Sequence, residues 1–289
     1  MWMQIAVAIA RATGTVFEIE SRRPVGGGSI AQSYAIAGGD RTFFCKFQRG
    51  VDPDVFAAEA LGLRAMFDTH TIRVPEPICW GAAEGAAYFV MEWLSFGRGA
   101  SAAAWDTMGR QLAAMHRRGA SDRFGWERDN TIGATPQVNP WTECWADFFA
   151  EHRIGYQLQL ARQHGGDFPD PDRAIAAVRS ALSWHQPQPS LVHGDLWSGN
   201  AAVTTDGEPA ILDPATHYGD REVDLAMTEL FGGFPAAFYR GYNAEWPLDR
   251  GYCERKDLYN LYHFLNHFNL FGGSYGSQAR HVLDRLLQT

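Results

Sequence analysis

The sequence predicts an α+β protein of two lobes, a small amino-terminal lobe and a larger, mostly helical carboxy-terminal lobe. Up to residue 92, apolar and polar residues alternate in short runs broken by glycine-rich turns, which is typical of antiparallel hairpins. Beyond residue 100, apolar residues recur at three- and four-residue intervals, which is typical of amphipathic helices. A length of 289 residues suits about two such units. We therefore predict an amino-terminal lobe over residues 1–94 and a carboxy-terminal lobe over residues 95–289.

The composition is that of a globular, acidic protein. The chain is 46% hydrophobic and has a net charge of −8 from 25 basic and 33 acidic side chains. Nucleic-acid binders need a basic surface, and a membrane-spanning helix needs roughly 18 apolar residues in a row. Four scattered cysteines form neither a disulfide framework nor a zinc-type spacing. We expect a cytoplasmic monomer with reduced thiols and with no nucleic-acid or membrane partner.

Five strands and two helices are predicted in the amino-terminal lobe. The first residues lack a basic charge before their apolar stretch, so they predict a short amphipathic helix rather than a signal peptide. Asp52 and Pro53 are start signals for a second helix, which is inserted after the third strand. Glu84 and Gly85 form the turn between the last two strands. The strands are predicted within residues 14–25, 30–37, 41–47 and, for the last two, 73–94.

Helices dominate the predicted carboxy-terminal lobe. Apolar residues at helical spacing indicate one helix through Trp105 and Met115, another over 141–163 and a third over 258–271. Short apolar runs on either side of the turn Thr205-Asp206-Gly207 predict a β-hairpin inserted among these helices.

One group of polar residues in this lobe has the spacing that phosphoryl transfer needs. His193-Gly194-Asp195 is followed by Asn200, and Asp213 ends the next apolar strand, a pattern that parallels the catalytic loop and metal aspartate of protein kinases. A carboxylate such as Asp195 accepts the proton of the attacking hydroxyl, while an amide and a second carboxylate hold Mg²⁺ against nucleotide phosphates. Each residue alone is more typical of a turn or cap, but the combination favours catalysis with ATP and Mg²⁺.

Upstream residues are candidates for nucleotide binding. Backbone N–H groups of Gly27, Gly28 and Ser29 could approach phosphates closely, although a glycine-rich segment can also be only a turn. Lys46 lies among aromatic residues, where a charge needs a partner, unless its side chain faces solvent. Glu59 in the following helix could pair with Lys46 and fix its ammonium against the α- and β-phosphates, or it could be solvated surface.

Three further candidates surround this site. Met91-Glu92-Trp93 ends the last strand, where a hinge can bind the nucleotide base, although a plain strand end is the alternative. Trp197 lies inside the catalytic loop, either as a core residue or as a platform for a sugar-like substrate. His193 is placed with Trp197 on the substrate side, and we expect it to orient the loop rather than act as the base.

The segments GDLWSGN and ILDPATHYGDREVDLAMTELFGGF closely resemble the fructosamine kinase, or ketosamine-3-kinase, family. GGGSIAQSY, TPQVNPWTECWADFFAEHRI and LYHFLNHFNLFG extend the resemblance over nearly the whole chain. Aminoglycoside and choline kinases share only HGDxxxxN and the later aspartate. The resemblance implies a protein-kinase-like fold and transfer of the ATP γ-phosphate to the 3-hydroxyl of ketosamines, whose unstable product releases the amine.

By the motifs it matches, the resemblance assigns roles to individual residues. Asp195 is the implied proton acceptor, Asn200 and Asp213 the metal ligands, and Lys46 with Glu59 the phosphate lysine and its partner. The segment 91–93 is the implied nucleotide hinge. The chain has no stretch like an activation segment between the metal aspartate and residue 224, so activity is expected without phosphorylation.

Two other functions stay open from the sequence. The first is a kinase of the same fold that acts on another alcohol, such as an aminoglycoside, choline or a metabolite, because substrate pockets vary within one fold. The second is a nucleotide-binding regulatory protein without transfer activity.

Overall fold

A five-stranded antiparallel sheet forms the centre of the amino-terminal lobe in the computed structural model, which describes residues 1–26, 31–97 and 99–288. Its elements are α1 (Trp2–Thr13), β1 (Ser21–Val25), β2 (Gln32–Gly38), β3 (Arg41–Arg49), α2 (Asp54–Asp68), β4 (Pro77–Ala83) and β5 (Ala86–Glu92). The strand order is β1-β2-β3-β5-β4, so the predicted strands and helices are confirmed. β1 begins later than residue 14, because pairing with β2 starts only at Ser21 opposite Ala37.

The two helices of this lobe cover opposite faces of the sheet. Adjacent residues of a strand point to opposite faces. Val90 packs in the cluster that contains Ile5 and Ile9 of α1. Phe89 packs with Leu63 of α2 in the cluster that also reaches the carboxy-terminal lobe. The sheet is therefore buried on both sides, and α2 lies on the side that faces the second lobe.

Helix α2 touches the second lobe through a glycine. A Cβ atom at Gly62 would lie 2.7 Å from Oγ1 of Thr216, which is closer than side chains can pack. Thr216 comes three residues after Asp213 in the chain. The helix that carries Glu59 is therefore in direct contact with the segment that carries Asp213.

The carboxy-terminal lobe consists mainly of helices, with short two-stranded sheets among them. Its first elements are α3 (Ala102–Arg118), β6 (Asn130–Ile132), β7 (Thr135–Gln137), α4 (Trp145–Phe148), a π-helix (Phe149–Gly155), α5 (Tyr156–Gln163) and α6 (Pro171–Leu182). They are followed by β8 (Ser190–Val192), β9 (Ala201–Val203), β10 (Pro209–Ile211), β11 (His217–Gly219), α7 (Glu222–Leu230), α8 (Ala236–Glu245), α9 (Tyr252–Phe271) and α10 (Tyr275–Leu286). No helix in the described ranges combines the length and hydropathy that crossing a membrane requires.

The predicted helix over 141–163 starts later than predicted, and part of it is a π-helix rather than an α-helix. Thr142 forms a β-bridge with Phe124, its N–H donating to the Phe124 carbonyl at 2.9 Å, so the helix begins only at Trp145. From Phe149 to Gly155 it is a π-helix before it continues as α5.

Short strands hold the predicted catalytic segments. β9 and β10 form the predicted hairpin. β8, which leads directly into His193, pairs antiparallel with β11, which follows Asp213. The two chain segments that carry Asp195 and Asp213 are therefore brought side by side.

Candidate active site

Lys46 occupies the centre of a three-residue ion-pair cluster between the lobes. Its Nζ atom donates to Glu59 Oε1 at 2.8 Å and to Asp213 Oδ1 at 2.7 Å. The Lys46 side chain is only 13% exposed, so it is not a solvent-facing strand residue, and Glu59 is likewise largely buried. Burial alone would lower the pKa of Lys46, but attraction to Glu59 and Asp213 raises the pKa above its ordinary value. The lysine is therefore a fixed positive charge.

The catalytic loop is anchored by a buried carboxylate. Asp224 of α7 accepts the backbone N–H of His193 at 2.7 Å through Oδ2 and that of Gly194 at 2.8 Å through Oδ1. Gly194 has φ of +81°, and a Cβ atom there would lie 2.2 Å from the Ala215 carbonyl oxygen. Only glycine allows this approach, so the loop before Asp195 lies directly against the segment after Asp213.

A second layer of buried groups supports Asp224. His116 Nε2 lies 3.0 Å from Asp224 Oδ2 and donates, because a carboxylate only accepts, while His116 Nδ1 lies 2.8 Å from the Tyr242 hydroxyl. Burial alone would raise the pKa of Asp224, but these donors hold the pKa below its ordinary value. Neither Asp224 nor His116 is among the predicted site residues. The available signal for His116 was a histidine within the apolar stripe of α3.

Replacing Asp224 with asparagine is expected to destabilise the fold by about 2–4 kcal/mol, because an amide cannot accept all the buried donors. The depressed pKa makes the contribution of Asp224 complete above about pH 4, and it is lost as the pH falls through the lowered native-state pKa. Urea unfolding should therefore show a large difference from wild type at pH 7 that shrinks towards pH 3. Asp284→Asn, at an exposed position of α10, is the matched control. Equal stability of wild type and Asp224→Asn at pH 7 would contradict the anchoring role of Asp224.

His193 orients the loop from within. Its ring is fully buried, its Nε2 lies 2.8 Å from the Leu212 carbonyl, and its Nδ1 accepts the N–H of Asp195 at 3.2 Å. Burial lowers its pKa, so the ring stays neutral. Both ring nitrogens contact the chain itself, which supports the prediction that His193 orients the loop.

Asp195 and Asn200 are hydrogen-bonded to each other across the catalytic loop. Asn200 Nδ2 donates to the Asp195 carbonyl at 2.9 Å and lies 3.3 Å from Asp195 Oδ2. Burial raises the pKa of Asp195 to about 7, although the hydrogen bond from Asn200 opposes this. A carboxylate whose pKa lies near neutral pH is suited to accept a proton from a hydroxyl.

Asn200 and Asp213 offer the oxygen atoms that Mg²⁺ prefers. Because Nδ2 of Asn200 binds the loop, Oδ1 is left without a hydrogen-bond partner among the described residues. The Asp213 side chain is 54% exposed, and one of its oxygens contacts Lys46. Asp213 also has φ of +53°, a left-handed conformation that is unusual for an aspartate. These donors fit a magnesium ion.

The predicted nucleotide hinge has one buried and two half-buried residues. Met91 is buried in the sheet, and the backbone N–H of Glu92 donates to the Glu76 carbonyl at 2.9 Å. The Glu92 carboxylate forms an ion pair with Arg73. Trp93 stacks on Phe44 with a centroid distance of 6.3 Å. The predicted phosphate-binding residues Gly27, Gly28 and Ser29 lie outside the described residues.

Trp197 presents its ring at the surface of the catalytic loop. The residue is 39% exposed, which makes the core alternative wrong. Its ring contacts Phe231 edge-on at 6.3 Å, and Phe231 in turn contacts His267 at 5.1 Å. An aromatic surface therefore extends from the catalytic loop towards α9.

The two-lobed fold and this cluster of residues define a phosphotransferase with a protein-kinase-like fold. The chain belongs to the fructosamine kinase family, because the model of that family, described as "Fructosamine kinase", matches residues 1–289. It is accordingly an ATP-dependent kinase.

Individual relatives match over nearly their full length. A Synechocystis protein named "Probable ketoamine kinase" is 58% identical over 287 residues, which are 99% of this chain and 97% of the relative. An Arabidopsis thaliana "Protein-ribulosamine 3-kinase, chloroplastic" is 43% identical over 284 residues, 95% of this chain and 85% of the relative. A Haemophilus somnus crystal structure named "Putative fructosamine-3-kinase" has a TM-score of 0.92 at 32% identity, and the match covers 99% of this chain and 98% of that one.

Proposed function

We propose that this kinase transfers the γ-phosphoryl group of ATP to the 3-hydroxyl of ketosamines such as fructosyl- and ribulosyl-amines. The phosphorylated adduct is unstable, so the outcome is release of the unmodified amine. The observation that carries the proposal is the convergence of Lys46, Glu59 and Asp213 from both lobes beside the Asp195 loop. The names of its relatives, which refer to ketoamine and ribulosamine, support this substrate class.

Each residue of the cluster has a proposed task. Asp195 accepts the proton of the attacking hydroxyl, and Lys46, fixed by Glu59, holds the α- and β-phosphates. Asn200 and Asp213 would hold Mg²⁺, which when bound neutralises phosphate charge. Backbone N–H groups of the glycine-rich segment would contact the phosphates, and the hinge at 91–93 would bind the base. His193 only positions the loop.

Trp197 is proposed as a platform on which the sugar portion of the ketosamine lies. Trp197→Ala is expected to raise KM for a ketosamine about fivefold with little change in KM for ATP, because an aromatic contact contributes about 1 kcal/mol. Trp184→Ala, at a more exposed tryptophan beside Arg255, is the control and should leave both constants unchanged. A ketosamine KM within twofold of wild type for Trp197→Ala would remove this residue from the substrate site.

The proposed function is tested by ADP release with MgATP and a panel of acceptors. The panel contains fructosyl-lysine, ribulosyl-lysine, an aminoglycoside, choline and no acceptor. Stimulation by the ketosamines alone supports the proposal and ranks the two sugars. Stimulation only by another alcohol replaces the substrate but keeps the site. ATP binding with no stimulation by any acceptor favours a regulatory protein.

We also propose that the protein works as a cytoplasmic monomer on a free or protein-bound adduct. Its four cysteines are unpaired, which suits a reducing compartment. Burial raises the pKa of the Cys45 and Cys79 thiols to about 12, so neither is poised for redox chemistry. The division at 94/95 is supported by the end of β5 at Glu92 and the start of α3 at Ala102.

A further inference from the structure

A buried arginine without a carboxylate partner lies behind the catalytic segment. Arg153 of the π-helix is 1% exposed, and no carboxylate of the described chain lies within ion-pair distance of it. Its guanidinium lies 4.5 Å from the ring centroid of Phe148, and NH1 donates to the Val138 carbonyl at 2.8 Å. Burial lowers its pKa to about 10, so it remains charged at neutral pH.

Stability alone does not explain a charge at this position. Burying an ion costs free energy that neutral acceptors offset only in part, and apolar replacements of buried ions often stabilise proteins. π-helical segments are also found frequently at functional sites.

The hydrogen bonds that leave Arg153 form a chain with a fixed direction. A guanidinium only donates, so Asn139 must present Oδ1 to Arg153 NH2, at 2.7 Å. Its Nδ2 then donates to Asn130 Oδ1 at 2.9 Å. Because Asn130 Oδ1 accepts there, its Nδ2 is directed to the Thr216 carbonyl at 2.9 Å. Arg153 thus fixes Oδ1 of Asn139, and the carbonyls of Arg128 and Thr216, which accept from Asn139 Nδ2 at 3.2 Å and from Asn130 Nδ2, favour the same orientation of the two amides.

A second branch ends beside the first. The Tyr262 hydroxyl donates to Gln137 Oε1 at 2.8 Å. Gln137 Nε2 then donates to Asn130 Oδ1 at 2.8 Å and to the Ala215 carbonyl at 3.1 Å. Both branches therefore terminate on consecutive carbonyls, two and three residues after Asp213.

The segment that receives these hydrogen bonds is strained and needs support. Asp213 has a left-handed backbone, with φ of +53°, which persists only where its surroundings hold it. The backbone N–H of Ala215 also donates to the His193 carbonyl, at 2.8 Å. The network and the catalytic loop thus both hold the same short segment.

We propose that Arg153, Asn139, Asn130 and Gln137 are positioning residues that place Asp213 for binding the metal–nucleotide complex. The inference rests on the proposed function, in which Asp213 is a metal ligand. It extends that function to a buried network whose residues lie behind the Asp213 segment and are not among the proposed substrate, metal or nucleotide contacts.

Asn139→Asp separates positioning from stability. A carboxylate at 139 still accepts from Arg153 and gives it an ionic partner. This ion pair offsets the loss of the hydrogen bonds that Nδ2 donates to Asn130 and to the Arg128 carbonyl, so the thermal unfolding temperature should stay near that of wild type. It cannot donate to Asn130, so the direction of the chain is broken. Mn²⁺ binding in the presence of ADP, measured by electron paramagnetic resonance, should weaken about 10- to 100-fold, and kcat/KM should fall with it.

Two further variants keep the test decisive. In Gln137→Glu the carboxylate still accepts from Tyr262 but cannot donate to the Ala215 carbonyl, so Mn²⁺ binding should weaken to a similar degree. This variant serves as the test if Asn139→Asp fails to fold. Asn243→Asp is the matched control, because the Asn243 amide of α8 donates to the Tyr239 carbonyl and accepts from the Leu248 N–H, remote from the network. This variant should bind Mn²⁺ as wild type does.

The possible outcomes are distinct. Mn²⁺ affinity within twofold of wild type in folded Asn139→Asp and Gln137→Glu would overturn the positioning role. Equal Mn²⁺ affinity of wild type and Asp213→Asn would instead overturn the metal role of Asp213 in the proposed function. Weakened Mn²⁺ binding in Asn139→Asp at an unchanged unfolding temperature would establish the inference.

Discussion

Asp195→Asn is expected to lower turnover of a ketosamine about a thousandfold, because an amide cannot accept the proton of the attacking hydroxyl. Asn200 would keep its hydrogen bond to the carbonyl of residue 195, so the loop should retain its shape. ADP release at saturating ketosamine and MgATP measures turnover. Isothermal titration with MgATP should meanwhile show an affinity within about threefold of wild type, since the phosphate-binding groups are untouched.

Asp206→Asn is the matched control for this variant. Asp206 lies in the exposed turn between β9 and β10, so its replacement should leave turnover unchanged. If Asp195→Asn turned over ketosamine at more than about a tenth of the wild-type rate, general-base catalysis by Asp195 would be refuted.

Lys46→Met is expected to lower kcat/KM for ATP about 100- to 1000-fold, as loss of a preorganised donor to a charged group does. Methionine keeps much of the length of the side chain, so the change removes mainly the charge. The substitution also removes the cation that lies between the carboxylates of Glu59 and Asp213, so no ion pair links these two side chains any longer. Steady-state kinetics with varied MgATP measures the loss, and thermal unfolding shows how much of it comes from the fold.

Lys256→Met provides an unusually direct control, because Lys46 and Lys256 are the only lysines of the sequence. Lys256 pairs with Glu229 at 2.7 Å on the helical lobe. Its loss should leave the kinetics with ATP near wild type. Equal effects of the two substitutions would mean that the loss at Lys46 comes from a general effect of charge rather than from phosphate binding.

Local signals predicted the elements of the fold well. Turns such as Glu84-Gly85 and Thr205-Asp206-Gly207 punctuate the chain, and the helix start at Asp52 and Pro53 comes within two residues of the observed start of α2 at Asp54. These signals act within a few residues, so they are visible in sequence. The group Asp195, Asn200 and Asp213 was equally accessible, since its spacing reflects one continuous hairpin.

Features that depend on distant partners were not predicted. Asp224 lies 31 residues from the backbone N–H of His193 to which it binds, and nothing in local periodicity marks an aspartate as an anchor. The pairing of β8 with β11 and the burial of Arg153 are of the same kind, because both follow from tertiary packing. The start of the helix at Trp145 was missed for this reason too, since the long-range bridge of Thr142 to Phe124 overrides an apolar pattern.

The ion pairs of the two lysines have a consequence for the enzyme's own durability. A reducing sugar condenses with an amine only when the amine is neutral. Glu229 raises the pKa of Lys256, and the two carboxylates at Lys46 outweigh the effect of burial there, so both ε-amines are held in the charged form. Elsewhere the basic side chains are arginines. With only two lysines, both held in the charged form, the protein offers reducing sugars few side-chain amines on which ketosamine adducts could accumulate.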